Sequence, residues 1–249
     1  MEKIYNILSK LIEKIFGRKF AKELVLLFIA INLVNFSNYI YTLVMARMLG
    51  PAEFSLFASL ISIFIILSSL ISTIQTVTTK YISNFFAEKD YKSISNFFFS
   101  SFKKIALICL IFFLFFILAS KQIALFLNTV SPIPIIILGS MVIISIFVSI
   151  SRGTLQGIQN FFHLSLNLII DAILRLVIGI LLVYLGFKNS GAIGSSSISG
   201  FIAILISFIP LSFIFKNRNK VKDINFFEVY KYSIPVLIAS ICLFILISF

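Results

Sequence analysis

Asp171 and Arg175 stand four residues apart inside a long apolar stretch, Leu164 to Leu185. At that spacing an acid and a base share one helical face, one turn apart. In hydrocarbon each alone costs about 2.5–3.5 kcal/mol on an insertion scale, so such residues face a bundle interior or a wet cavity. Two readings are open: contact with a charged substrate or proton exchange, or a self-neutralised pair that locks helix packing. Asn160, His163 and Asn167 extend the same face toward the start of that helix.

Other polar residues lie at helical spacing in the neighbouring apolar runs. Asn32, Asn35, Tyr39 and Thr42 share a face of the first run, where the cost of Asn in lipid points to cavity lining. The second run repeats Ser55, Ser59, Ser62, Ser69, Thr73 and Thr76, and ends in Lys80. Such a stripe either lines a hydrated path or lets helices pack closely. Gly153 and Gly157 form a GxxxG contact motif ahead of the Asp171 stretch. His163 is the one histidine, with no Cys or carboxylate at ligand spacing, so no metal site is expected. No phosphate-binding glycine loop or nucleophile elbow is present, no cofactor is implied, and the expected class is not an enzyme. Cys109 and Cys242 both fall inside apolar runs, where thiols are inert packing residues.

These residues must be positioned by membrane helices. Of 249 residues, 60% are hydrophobic, and the mean hydropathy is +1.11. A hydrocarbon core about 30 Å thick takes about 20 apolar residues per helix. The apolar residues come in long runs rather than in alternation, which favours helices over a barrel. The expectation is an all-α polytopic bundle in the cytoplasmic membrane. Its spans run from Leu24 to Met45, Phe54 to Val77, Ile105 to Ala119, Ile133 to Ile150, Leu164 to Leu185 and Ala192 to Phe215. A seventh starts near Ile234. The third is short unless Lys121 snorkels and the helix continues to Phe126.

A net charge of +12 does not imply nucleic acid, because the basic residues sit between spans. They cluster on one side. Lys3, Lys10, Lys14, Arg18, Lys19 and Lys22 precede span 1. Lys80, Lys89, Lys92, Lys103 and Lys104 follow span 2. Arg152 follows span 4, and Lys216, Arg218, Lys220, Lys222 and Lys231 follow span 6. Arg47, Lys121 and Lys188 fall opposite, and only Arg175 lies within a span. Short cytoplasmic loops carry the Lys and Arg excess, which makes the N-terminus cytoplasmic.

Residues 1–22 place Ile4, Leu8, Leu11 and Ile15 on one face, the pattern of a helix lying on an anionic membrane surface. Residues 23–231 form the six-span lobe, and residues 232–249 begin the seventh helix. That helix stops at Phe249 without a polar closure, as expected of a fragment, a truncated product or an N-terminal half.

The segment Ala46-Arg47-Met48-Leu49-Gly50-Pro51-Ala52-Glu53-Phe54 resembles a signature near the start of the polysaccharide flippase family. The segment Arg152-Gly153-Thr154-Leu155-Gln156-Gly157-Ile158-Gln159-Asn160-Phe161, followed by Asp171 and Arg175, is similar to that family's fourth loop and fifth helix. The resemblance implies membership of the multidrug, oligosaccharidyl-lipid and polysaccharide exporter superfamily. It also implies two lobes around a central cavity, and transfer of an anionic lipid-linked oligosaccharide of polyprenyl diphosphate type by alternating access. Its partners would be membrane lipids and the C-terminal half of the same transporter or a second chain. Arg175, Arg152, Lys80 and Arg47 are the cations available for the diphosphate, with Asp171, Asn167, Asn32 and Asn35 beside the path. A multidrug or cation antiporter of the same superfamily is the nearest alternative, and a non-transporting remnant or assembly protein is another.

Overall fold

The computed structural model describes residues 18–127, 129, 131–216 and 226–248, and is helical throughout apart from short turns. The expected interfacial helix of residues 1–22 falls largely outside these.

Helix α1, Arg18–Ala87, is broken at Gly50, whose φ of 73° and ψ of 171° belong to a region that only glycine adopts freely. Pro51 follows, with its φ preset for a first helical turn and no N–H to waste. The break is a reversal. Tyr41 and Phe57 would be about 24 Å apart along a straight helix, at 1.5 Å per residue. Their ring centroids are 6.2 Å apart, so the two arms run back to back.

Helix α2 spans Tyr91–Phe126, α3 spans Ile133–Gly157 and α4 spans Phe161–Leu182. A single wide turn, Val183–Phe187, leads into α5, Lys188–Phe208. This second reversal uses Gly186, at φ 90°. Beyond it a Cβ on Gly191 would lie 2.9 Å from Leu182 Cβ, so α4 and α5 are also antiparallel and in close contact. The short α6, Ser212–Lys216, and α7, Phe226–Ser248, complete the described chain.

Among the described residues four stretches are long and apolar enough to cross a membrane: Lys22–Ala87, Tyr91–Phe126, Ile133–Gly157 and Phe161–Phe208. The reversals at Gly50 and Gly186 fold the first and last into two arms each. The chain is a multi-pass membrane protein.

Two boundaries differ from expectation, and the third span follows the longer of its two readings. The third span is longer than Ile105 to Ala119, because α2 is continuous from Tyr91 through Lys121 to Phe126. The sixth ends at Phe208 rather than Phe215, because Pro210 has no N–H to donate to the helix ladder. The seventh is already helical at Phe226, ahead of Ile234.

The turns at the charge-assigned cytoplasmic end share one design. Lys89 and Gln159 each take φ 58°, and the next residue caps the following helix. Asp90 Oδ1 accepts from Ser93 N at 3.0 Å, and Asn160 Oδ1 accepts from His163 N at 3.3 Å.

The arms pack around two apolar clusters. The one nearer the Gly50 and Gly186 reversals includes Tyr41, Met45, Leu60, Leu138 and Ile193, with Leu176 and Ile180 against it. The one nearer the cytoplasmic turns includes Ile82, Phe97, Ile150, Leu155 and Leu164, with Leu168 against it. On α4 the residues between Leu168 and Leu176 include Asp171 and Arg175. The GxxxG motif seats α3 on α1. A Cβ on Gly153 would lie 2.8 Å from Gln75 O, and one on Gly157 2.7 Å from Ile82, so only glycine permits this approach.

Candidate functional site

The polar layer between the two clusters is built from α3, α4 and α5. Arg152 reaches across from α3. Its Nε donates to Asn167 Oδ1 at 2.8 Å, and its Nη2 donates to Asp171 Oδ2, also at 2.8 Å. Asn167 and Asp171 are one turn apart on α4, a separation that one planar guanidinium fork can span. Arg175 Nη2 approaches the same Asp171 oxygen at only 3.6 Å. Ser199 of α5 donates to Asp171 Oδ1 at 2.7 Å, and Asn167 Nδ2 donates to Ala203 O at 2.7 Å and Ser207 Oγ at 3.0 Å.

This arrangement differs from the expected pair in two ways. Arg152 is not in a loop after the fourth span but within the last two turns of α3. It is also a closer partner of Asp171 than Arg175 is. The side chains of Arg152, Asp171 and Arg175 are 15%, 12% and 23% exposed, so two cations share one carboxylate in a mostly desolvated layer. Arg175 Nε is buried and has no acceptor among the described residues. The layer therefore carries a surplus positive charge and spare donors, which suit an anion.

The rest of the predicted set lies elsewhere. Asn160 and His163 belong to the α4 cap, where His163 Nδ1 is 2.7 Å from Asn160 Oδ1. Lys80 Nζ lies 3.1 Å above the ring of Tyr232 on α7. Arg47 is exposed beside the Gly50 reversal. Asn32 and Asn35 are exposed on the first arm of α1 with Tyr39, and Asn32 Nδ2 donates to Phe28 O at 2.8 Å. On the second arm Ser55, Ser59 and Ser62 donate back to carbonyls of their own helix at 2.7, 2.9 and 2.9 Å. Ser55, Ser62 and Thr76 are exposed. Both arms of α1 thus present exposed polar positions, whereas Thr73, further along the second arm, is buried and donates to Ser240 Oγ of α7 at 3.3 Å.

Sequence reasoning missed several partners. Ser199 and Ser207 stand on α5 and are not singled out in the sequence. Tyr41 Oη donates to Ala192 O at 2.6 Å, and a Cβ on Gly179 would lie 2.6 Å from the Tyr41 ring. Glu53, in the quoted signature, joins the two reversals: Lys188 Nζ is 3.1 Å from its Oε1, and Asn189 Nδ2 donates to its Oε2. Nothing local marks that contact, which links residues far apart in the chain. Among the described residues no group of three His, Cys, Asp or Glu side chains gathers as a metal site would require.

Comparison with known proteins places this geometry in a family. The polysaccharide biosynthesis protein family matches residues 20–249. The chain belongs to that family. No curated protein sequence matches it significantly. Among solved structures, a MATE transporter in complex with MaD3S aligns with a TM-score of 0.75 at 15% identity, covering 92% of this chain and 53% of that one. A multidrug resistance MATE family transporter of the MOP superfamily, in an outward-facing conformation, aligns with a TM-score of 0.72 at 16% identity, covering 88% and 52%. A MOP superfamily transporter from Pyrococcus furiosus, in which reverse polarity of the binding pocket suggests a different function, aligns with a TM-score of 0.69 at 18% identity, covering 90% and 52%. This polysaccharide biosynthesis family chain thus has the MATE fold over its length and spans about half the length of those solved chains. The proteins it resembles are membrane transporters rather than enzymes.

Proposed function

We propose that this chain forms one lobe of a transporter that moves an anionic, lipid-linked oligosaccharide of polyprenyl diphosphate type across the cytoplasmic membrane by alternating access. The carrying observation is the charge balance of the buried layer: Arg152 and Arg175 share the single carboxylate of Asp171. A diphosphate headgroup supplies the missing negative charge and accepts from guanidinium forks in a bidentate fashion. Arg175, with the longer contact and the unpartnered Nε, contacts the substrate. Arg152 and Asn167 hold Asp171, which keeps Arg175 oriented between transport cycles.

The exposed polar residues Asn32, Asn35, Tyr39, Ser55 and Ser62 of α1 support a cavity closed by a second lobe. That lobe is the C-terminal half of the same transporter or a second chain. A cation antiporter on this fold would need surplus carboxylate where this chain carries surplus arginine.

The test is substrate charge selectivity in proteoliposomes holding the assembled transporter. A polyprenyl diphosphate oligosaccharide should be moved to the opposite leaflet, and a cationic dye should not. Dye movement without lipid movement would replace this reading with the antiporter.

A further inference from the structure

A second polar site lies at the cytoplasmic end of α1 and α3, apart from the Asp171 layer. A pocket of about 490 Å³ is lined by Ser72, Gln75, Thr76, Thr79, Lys80, Gln156 and Tyr232. Every lining side chain can hydrogen-bond, the one full charge among them is positive, and none is a carboxylate. Gln156 is set in a defined orientation. Its Oε1 accepts from Gln75 Nε2 at 3.2 Å, which leaves its Nε2 without an acceptor among the described residues, while Thr79 Oγ1 donates to Gln75 O at 2.9 Å. Lys80 makes no ion pair among the described residues and instead lies 3.1 Å over the Tyr232 ring. A cation–π contact contributes about 0.5–2 kcal/mol, less than a charge-assisted bond to phosphate. An arriving anion therefore outcompetes the ring.

The position of Gln156 joins this pocket to the layer. It stands four residues after Arg152 on α3, on the same face and about 6 Å nearer the cytoplasmic end. Arg152 and Gln156 are thus one helical turn apart along α3, Gln156 turned to Gln75 of α1 and Arg152 to Asn167 and Asp171 of α4.

We infer that the Lys80–Gln156 pocket is a docking site for the phosphate headgroup of an isoprenoid lipid. The headgroup is held there before it reaches the arginines, and Tyr232 of α7 covers the lysine while the site is empty. The inference rests on the transport reading above and adds a separate loading position to it.

The experiment uses the protein in lipid nanodiscs and measures binding of farnesyl diphosphate by native mass spectrometry, with farnesol and inorganic pyrophosphate as controls. Lys80→Gln should weaken farnesyl diphosphate binding about tenfold, the loss of one charge-assisted contact. Lys80→Arg should retain binding. Tyr232→Ala should tighten it severalfold by freeing the ammonium, while Tyr232→Phe should leave it unchanged. Farnesol should not bind through this site.

Wild-type affinity in Lys80→Gln would overturn the docking site. If Arg175→Gln then lost binding, the transport reading would still stand. Lys80-dependent binding of inorganic pyrophosphate without farnesyl diphosphate would assign the pocket to a soluble phosphate and also overturn the lipid site. No isoprenyl diphosphate binding by the wild type would remove both readings.

Discussion

The Asp171 layer and the Glu53 tip each centre on one carboxylate, yet their charge balance and surroundings differ. At the tip one lysine and one amide close the balance around Glu53, and the ionic partners are 69% and 35% exposed. The contact fastens the Gly50 and Gly186 reversals to each other, and solvent screens most of its energy. In the layer two arginines surround Asp171 between two apolar clusters, and one of them leaves a buried Nε unpartnered. A device meant only to hold helices together needs no second arginine at membrane depth, where charge is costly. The contrast separates a fastening from a buried layer with surplus positive charge.

Breaking the layer should have the largest effect on stability. Asp171→Asn leaves Arg152 and Arg175 buried without a carboxylate, and removing one partner of a buried pair costs about 3–5 kcal/mol. Thermal unfolding in detergent should show a large drop in midpoint. Adding Arg152→Met should recover part of it, since the two changes act on one contact. An additive double variant would show that the two residues are not coupled.

Packing beside the layer comes next. Gly179→Ala places a methyl 2.6 Å from the Tyr41 ring, which must shift and give up its bond to Ala192 O. Overpacking of this kind costs about 1–3 kcal/mol. Gly194→Ala meets only Ile137, at 3.7 Å, and should leave the melting temperature unchanged. Equal behaviour of the two variants would contradict the close α1–α4 approach.

Loosening the tip should matter least. Glu53→Gln should lower stability by about 0–1 kcal/mol, the range of exposed pairs, and the deficit should shrink as salt is raised. A loss as large as that of Asp171→Asn would erase the contrast between the two regions.

Much of this organisation was legible in the sequence, and the reasons are physical. Gly50-Pro51 falls between the first two expected spans, where glycine and proline punctuate helices through their own backbone properties. The long apolar runs and one-sided charge could be read without tertiary information. The Asp171–Arg175 spacing was also legible, but helical periodicity reveals only partners on the same helix. Arg152 was placed in a loop because a charge near the end of an apolar run looks like a boundary. The structure keeps it helical because Asn167 and Asp171 on the facing helix satisfy it. Such contacts between distant residues, like those of Glu53 with Lys188 and Asn189, have no signature within a single window of sequence. The Phe208 boundary was missed for a different reason: the apolar run continues through Pro210, and hydropathy alone is blind to the missing N–H.

The central claim is that the surplus arginine of the layer serves an anionic lipid. The most direct test is transport of a polyprenyl diphosphate oligosaccharide by the assembled transporter in proteoliposomes, with Arg175→Gln compared with wild type at equal folded amounts. The account predicts a loss of about tenfold or more in transport, the loss of a charge-assisted contact to phosphate, while the melting temperature stays near wild type because Asp171 keeps Arg152. Transport by Arg175→Gln at the wild-type rate would contradict it.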